Sequence, residues 1–419
     1  MARTDAKLFL CLFLPFFTNI AFCENYSIEN TLVDVSEENK LAYSRIQDCI
    51  ISADKERFEK EVASVGPRID EPELATLVAA GLANFGLTDK AIALSEKTMA
   101  NSNFSMGSAN TRIVLLSNLA VFYYHNELYR GAISASNAAL DLIDKYQRDN
   151  RILRRDVLLN LARSYRDSDS IEDAMSSYES CISCLDKQND FDSTVRAQVL
   201  YEAALLKKKL GMYLDSLTYF EQTVPVFISV FGSNGKSRQM YNLYYNCGYC
   251  SFMASKYASA QDYLLEAKNI ISAIEPFSHE FADTAFYLAI SSFLEMHKTG
   301  VKDSAIASSC RSLLAESQSL YLDIDGEASE EYIRGLLDLG LLSDYMGNCK
   351  DSVHVFEQCL ELSLARYGYN SIVTSLVYIS LAEEYDRVGE PEKASLMRDH
   401  GDSRLQYLSL KEKLAALYS

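Results

Sequence analysis

Cysteine and histidine are the side chains best suited to chemistry in this 419-residue chain, which has ten of the first and five of the second. Eight cysteines lie beyond residue 23: Cys49, Cys181, Cys184, Cys247, Cys250, Cys310, Cys349 and Cys359. Two pairs, Cys181 with Cys184 and Cys247 with Cys250, have the CxxC spacing that serves a four-thiolate zinc site or a dithiol redox couple. The histidines His125, His279, His297, His354 and His400 are scattered, and His279-Glu280 lacks the second histidine of a metalloprotease helix. Residues 232–237, GSNGKS, carry the tail of a phosphate-binding loop, but Val230 stands where its first glycine belongs and no strand precedes it. Nothing pairs a nucleophile with a base at readable spacing. We therefore expect no catalytic residue, no metal and no cofactor.

What must position these residues is a repeat. Ala120, Ala132 and Ala139, with Tyr123, have the spacing of two close-packed antiparallel helices joined by a tight turn. The register returns as Ala162, Tyr165, Ala174, Tyr178 and Cys181, then as Ala204, Ser216, Phe220 and Thr223, then as Gly248, Ala260, Leu264 and Ala267. It appears twice more as Gly340, Ser352, Phe356 and Cys359, and as Ala382, Tyr385 and Ala394 with Gly389 in the turn. An earlier copy pairs Ala79 with Ala91 across Gly86. The small residues that open each second helix, from Ala91 through Ala132, Ala174, Ser216, Ala260, Ala305 and Ser352 to Ala394, lie 41, 42, 42, 44, 45, 47 and 42 apart. Self-similarity at such a period marks a helical array.

This pattern resembles the tetratricopeptide repeat, whose common length is about 34 residues. The longer period and the linkers Phe231-Gly232-Ser233-Asn234 and Tyr367-Gly368-Tyr369-Asn370 are similar to the kinesin-light-chain-like subclass. The resemblance covers roughly residues 71–402 and departs from the family in repeat six, with a stretched turn over Met296 to Asp303, and in the mostly missing terminal proline. It implies an all-α fold, a right-handed superhelical solenoid of about eight helical hairpins. We expect a polar N-terminal segment and capping helix over 24–70, with apolar spacing across Leu41 to Val62. A C-terminal capping helix should lie within 403–419.

Within such an array the two CxxC pairs fall mid-helix with a whole repeat between them, so they fill the core rather than meet around one ion. If the chain is exported, Cys310 with Cys349 or Cys359, in adjacent repeats, is the pair placed for a disulfide.

Ligand contacts in the family come from the first helix of each repeat, one, four and five residues after the small marker and three and six before it. Carried onto this chain, the resemblance implies a concave wall of Tyr124 and His125, Arg163 and Arg166, Tyr201, Lys208 and Lys209, and Asn242, Tyr245, Tyr249 and Phe252. Four cations beside aromatics suggest a groove for an extended segment with acidic and aromatic groups. The family's lysine-asparagine clamp for a C-terminal carboxylate is missing from this register.

Charge and composition narrow the partner. Forty Lys and Arg against 58 Asp and Glu give a net charge of −18, a field that repels nucleic acid and anionic lipid. Residues 1–23 have the layout of a secretory signal, Arg3 and Lys7 before an apolar run Leu8 to Phe17 and then Ala21-Phe22-Cys23. No other apolar run approaches the ~18 residues of a transmembrane span. Asn25 and Asn103 head N-x-S triplets that matter only in a glycosylating host. The reading is an exported, periplasmic or secreted, non-enzymatic scaffold or adaptor that binds a protein or peptide partner. Two rivals are a surface carbohydrate-binding lipoprotein anchored through Cys23, which the absence of tryptophan disfavours, and a recruiting or sensor subunit of a larger complex.

Overall fold

The computed structural model describes residues 39–101, 104, 107–186, 193–232, 236–401 and 413. Among them are 18 α-helices and no strand, the all-α class expected. The signal segment, Cys23, both N-x-S triplets in full or in part, positions 233–235 of the GSNGKS stretch and most of 403–419 lie outside the described residues. The chain divides into two compact units at Leu210/Gly211.

The first unit holds α1 (Lys40–Ile51), α2 (Lys55–Val65), a short 3-10 turn (Gly66–Asp70), α3 (Pro72–Asn84), α4 (Thr88–Ala100), α5 (Ala109–His125), α6 (Tyr129–Tyr146), α7 (Arg151–Asp167), α8 (Ile171–Asp186) and α9 (Ser193–Lys209). The single helix expected over 41–62 is corrected to a hairpin. Ser52 Oγ donates back to the Asp48 carbonyl at 2.7 Å, Ala53 takes a left-handed φ of 53°, and the Asp54 carboxylate accepts the Arg57 N–H. Ser and Asp at these places compete with the helix backbone, which an apolar spacing read by itself does not register. Tyr43, Ile46 and Cys49 of α1 and Phe58 and Val65 of α2 close over Leu74, Leu77 and Val78 of α3. The pair thus seals the first hairpin's apolar face.

The second unit holds α10 (Tyr213–Phe231), α11 (Arg238–Met253), α12 (Tyr257–Ile274), α13 (His279–Thr299), α14 (Ser304–Asp325), α15 (Glu330–Tyr345), α16 (Cys349–Tyr367), α17 (Ile372–Arg387) and α18 (Pro391–His400). The stretched turn of repeat six is shorter than expected: α13 runs on to Thr299, and the break is Gly300 to Asp303.

Local chemistry explains why these segments start and stop where they do. Six of the described first helices open on a Ser or Asn whose side-chain oxygen accepts the N–H three residues on. Ser108, Asn150, Ser237, Ser278, Ser329 and Ser371 all do this, each satisfying one orphan donor of the helix end. Ser237 of the GSNGKS stretch is thus a helix cap. The turns between helices repeat another device: the N–H of Leu87, Leu128, Ser170, Lys256, Asn348 and Glu390 reaches back five residues to a carbonyl of the first helix. The residue before each donor has positive φ, namely Gly86, Glu127, Asp169, Ser255, Gly347 and Gly389. This is the Schellman closure. Three of the six are not glycine and carry the strain of a left-handed L residue.

The small markers are contact points. Ala79, Ala91, Ala120, Ala132, Ala162 and Ala174 in the first unit, and Ala260, Ala382 and Ala394 in the second, are all within 1% of complete burial. A Cβ on Gly248 would sit 2.5 Å from Leu264 Cγ, and one on Gly340 would press closer still on Phe356 Cε1. Neither glycine has room for a side chain unless its neighbour shifts. With the pair so close, successive first helices lie against one another, α3 on α5 and α5 on α7 in one unit, α11, α13, α15 and α17 in the other. Each unit therefore presents a wall of first helices. Of the described helices none is long and apolar enough to cross a membrane.

Candidate functional site

The eleven residues expected on the wall divide between the units and do not share one environment. Arg163, Tyr201, Asn242 and Phe252 are buried, at 5%, 3%, 4% and 4% exposure, and serve as packing. Tyr124, Arg166, Lys208, Tyr245 and Tyr249 are half-buried, and His125 and Lys209 are exposed.

In the first unit the two arginines are not available to a partner's acid. Arg163 Nε donates to Glu202 Oε2 at 2.9 Å, and its Nη2 bonds the other oxygen of the same carboxylate. Arg166 reaches Glu202 Oε2 at 3.4 Å, Asp167 Oδ1 at 2.8 Å and the Tyr178 hydroxyl at 3.1 Å. Tyr178 in turn donates to Glu202 at 3.0 Å, and Tyr124 donates to Asp167 Oδ2 at 2.7 Å. The network ties α5, α7, α8 and α9 together. Burial pushes the Glu202 carboxyl up, but the two guanidinium groups and the Tyr178 hydroxyl outweigh it and bring it down to about 2. Lys209 Nζ stands 3.7 Å from Asp169. The expectation that Arg163 and Arg166 select an acidic ligand is therefore corrected: their acid is Glu202, two residues before the Ala204 marker, in the next repeat.

In the second unit the wall is aromatic and open. Tyr241, Tyr245 and Tyr249 follow one another at i+4 along α11, with ring centroids 5.7 and 6.4 Å apart and planes within 29°. Tyr287 of α13 stands edge-on to this column, 5.2 Å from Tyr249 and 6.4 Å from Tyr245. Phe252 backs Tyr287 at 5.3 Å, and Tyr213 of α10 meets Tyr249 at 6.1 Å. Such offset and edge contacts fix ring positions before any ligand arrives. The Tyr249 hydroxyl is pushed up to about 12 by burial and by its bond with Tyr213. Neither Tyr245 nor Tyr287 donates its hydroxyl to any described residue. Below them, Tyr321 of α14 donates to Asp283 Oδ1 at 2.6 Å, and Tyr241 donates to the Glu280 carbonyl at 3.1 Å.

Tyr287, Asp283 and Arg334 are residues that sequence reasoning missed. In repeat six the small residue of the first helix is Ala289, fully buried and 41 after Gly248; Asp283 and Arg334 sit six before Ala289 and Gly340, a position already used for Asn242, so extending the register into repeats six and seven would have found them. Tyr287, two before its marker, lies outside that set of positions.

The cysteines fill the core: Cys49, Cys181, Cys247, Cys250, Cys310 and Cys359 are buried, and no disulfide joins any of the eight. The expected Cys310 pairing with Cys349 or Cys359 is corrected. Cys359 Sγ instead donates to the Ile333 carbonyl at 3.5 Å across the helix pair. Burial raises the Cys181, Cys310 and Cys359 thiols, the opposite of what a reactive thiolate requires. Among the described residues no group of three or more His, Cys, Asp or Glu is placed to hold a metal ion.

No family model matches the chain, and no curated protein matches it. Solved structures are similar to it at low identity. The apo form of RapI is 11% identical over 89% of this chain and 96% of that chain, with a TM-score of 0.48. The C-terminal part of a TPR repeat-containing protein from Cytophaga hutchinsonii is 13% identical over 70% and 96%, with a TM-score of 0.45. A putative kinesin light chain from Podosopora anserina, described as having TPR-like repeats, is 12% identical over 50% and 94%, with a TM-score of 0.41. At such scores the likeness carries no weight for function. The tetratricopeptide-type fold is legible in this chain's own hairpins, caps and small-residue contacts.

Proposed function

We propose that the chain is an exported, non-enzymatic protein–protein interaction scaffold that holds an extended segment of a partner against the first-helix wall of its second unit. The observation behind this reading is the tyrosine column itself. Tyr245, Tyr249 and Tyr287 are half-buried and held in place by neighbouring rings. Fully burying an exposed side chain contributes about 1.5–3 kcal/mol, so covering the open part of one half-buried ring contributes about 1 kcal/mol, at the upper end of the range for an exposed ion pair, about 0.2–1 kcal/mol. Three rings on a rigid frame together outweigh one such pair. Charge supplies selection. Export rests on residues 1–23 and predicts a mature chain beginning at Glu24, which mass spectrometry of the N-terminus tests. A lipid on Cys23 would favour the anchored alternative.

Affinity capture from the native compartment tests the site. The triple variant Tyr245→Ala, Tyr249→Ala, Tyr287→Ala should lose the partner, and Tyr369→Ala, at a tyrosine that is 64% exposed in another repeat, should keep it. Equal recovery with both would remove the wall from the account.

A further inference from the structure

The tyrosine wall also carries charge, and its sign is opposite to the one expected from Arg163 and Arg166. Asp283 lies beneath Tyr287, with Glu280 and Glu331 near enough to act on its ionisation. Tyr287 feels Asp283, Glu331 and Arg334. The cations nearby already have acids of their own. Arg238 binds Glu275 at 2.7 Å and also Glu280. Arg334 donates to Glu330 at 2.7 Å, and His279 Nε2 lies 2.8 Å from Asp325. Glu275, Glu280, Asp283, Asp325, Glu330 and Glu331 thus outnumber the two guanidinium groups and one imidazole that pair with some of them. The surplus is negative.

We propose that the second unit's wall selects an extended partner segment in which lysine or arginine alternates with apolar side chains, the cations lying over Tyr249 and Tyr287 and against Asp283 and Glu331. This rests on the scaffold reading above and gives its ligand a chemistry. An extended chain directs every second side chain to one face, at about 6.6–7 Å intervals. The 6.4 Å spacing of Tyr245 and Tyr249 along the column lies close to that repeat. A cation over a tyrosine face is held by the ring quadrupole and is held more strongly once water is excluded. Burial raises the Asp283 carboxyl against the Tyr321 hydroxyl and His279, which pull it down, and Glu331 and Glu280 push it up, so an arriving cation offsets those two acids. An acidic segment would add to them.

The test uses three fluorescent nine-residue peptides in which leucine alternates with lysine, glutamate or glutamine, titrated against the full chain by anisotropy. The lysine peptide should bind about 10-fold or more tighter than the glutamine peptide, with the glutamate peptide weakest, and added salt should shrink the gap. The double variant Asp283→Asn, Glu331→Gln should bring the lysine and glutamine peptides to within about twofold of each other. The amide oxygen introduced by Asp283→Asn can still accept the Tyr321 hydroxyl, and an unchanged melting curve by circular dichroism verifies the fold. A glutamate peptide bound as tightly as the lysine peptide, a lysine preference that survives the double variant, or no binding of any peptide would overturn the inference. Lysine binding indifferent to the tyrosine triple variant would overturn it too. If native-partner capture still depends on the tyrosines in those cases, the scaffold reading stands without the charge rule. If the lysine preference holds but capture ignores the tyrosines, the scaffold reading is what fails.

Discussion

The two units build their first-helix walls at the same repeat positions and use them in opposite ways. In the first unit Arg163, one after the Ala162 marker, is turned inward and held by Glu202. In the second, Tyr249, one after Gly248, stays half-open beside Tyr245 and Tyr287. The positions are equivalent, but the neighbour two before the next marker differs: Glu202 in one case, Tyr287 in the other. A carboxylate there captures the arginine and dries the wall, whereas a tyrosine there extends an aromatic surface. Register says where a side chain stands, and the next repeat decides whether a partner can reach it.

The largest effect should come from breaking the closed wall. Glu202→Ala leaves Arg163 buried without its acid, and we expect a loss of about 3–5 kcal/mol in urea unfolding. A change within about 0.5 kcal/mol, as at an ordinary surface site, would mean the pair is solvated and the contrast unfounded.

The open wall depends on packing instead. Gly340→Ala drives a methyl into the Phe356 ring, and overpacking of this kind costs about 1–3 kcal/mol. The gain in helix propensity, about 1 kcal/mol, offsets part of it. Thermal or urea unfolding of the variant reads the net sign, and stabilisation would show that Phe356 moves aside freely.

Acid and base should separate the units in a pH series. Glu202 is depressed to about 2, so its stabilisation is full above the ordinary carboxylate value of 4.5 and is lost as pH falls through about 2. Glu384 of α17 behaves in reverse. Burial and the neighbouring Asp344 raise it to about 7 against the pull of Arg387. The folded second unit therefore keeps a proton that the unfolded chain releases, and its stability falls as pH rises from 4.5 through about 7. Glu384→Gln should flatten that slope and leave the acid limb below pH 4.5 untouched; an unchanged slope would place the linkage elsewhere.

The smallest effect touches both units alike. Glu127→Gly and Ser255→Gly relieve left-handed residues in equivalent turns, at φ of 59° and 58°, and each should stabilise by about 0.5–1 kcal/mol. Loss of stability at either would show that its side chain does more than close the turn.

The repeat frame is legible because alanine and glycine recur where helices touch, a constraint visible residue by residue. The small markers run through the array from Ala79 to Ala394, and the turns at Gly86 and Gly389 follow from them. Two things are not legible. The break at Ser52 to Asp54 is made by side-chain-to-backbone bonds that apolar spacing does not encode. The closure of Arg163 depends on Glu202, 39 residues away, and a charge read by itself carries no trace of its partner. The acid is in view in the sequence, but only the hydrogen bonds from α7 to α9 show that it spans to both arginines. The disulfide expectation fails for a related reason: neighbouring repeats bring cysteines into one region without aligning their sulfurs.

One comparison tests the central claim directly. Arg163→Met with Glu202→Leu removes the closed pair together, a replacement of a kind that leaves stability near neutral. The tyrosine triple variant removes the open wall. Partner capture from the native compartment, with both proteins folded by circular dichroism, should be retained by the first and lost by the second. Retention by the tyrosine variant and loss by the Arg163/Glu202 variant would contradict the account and move the binding surface to the first unit.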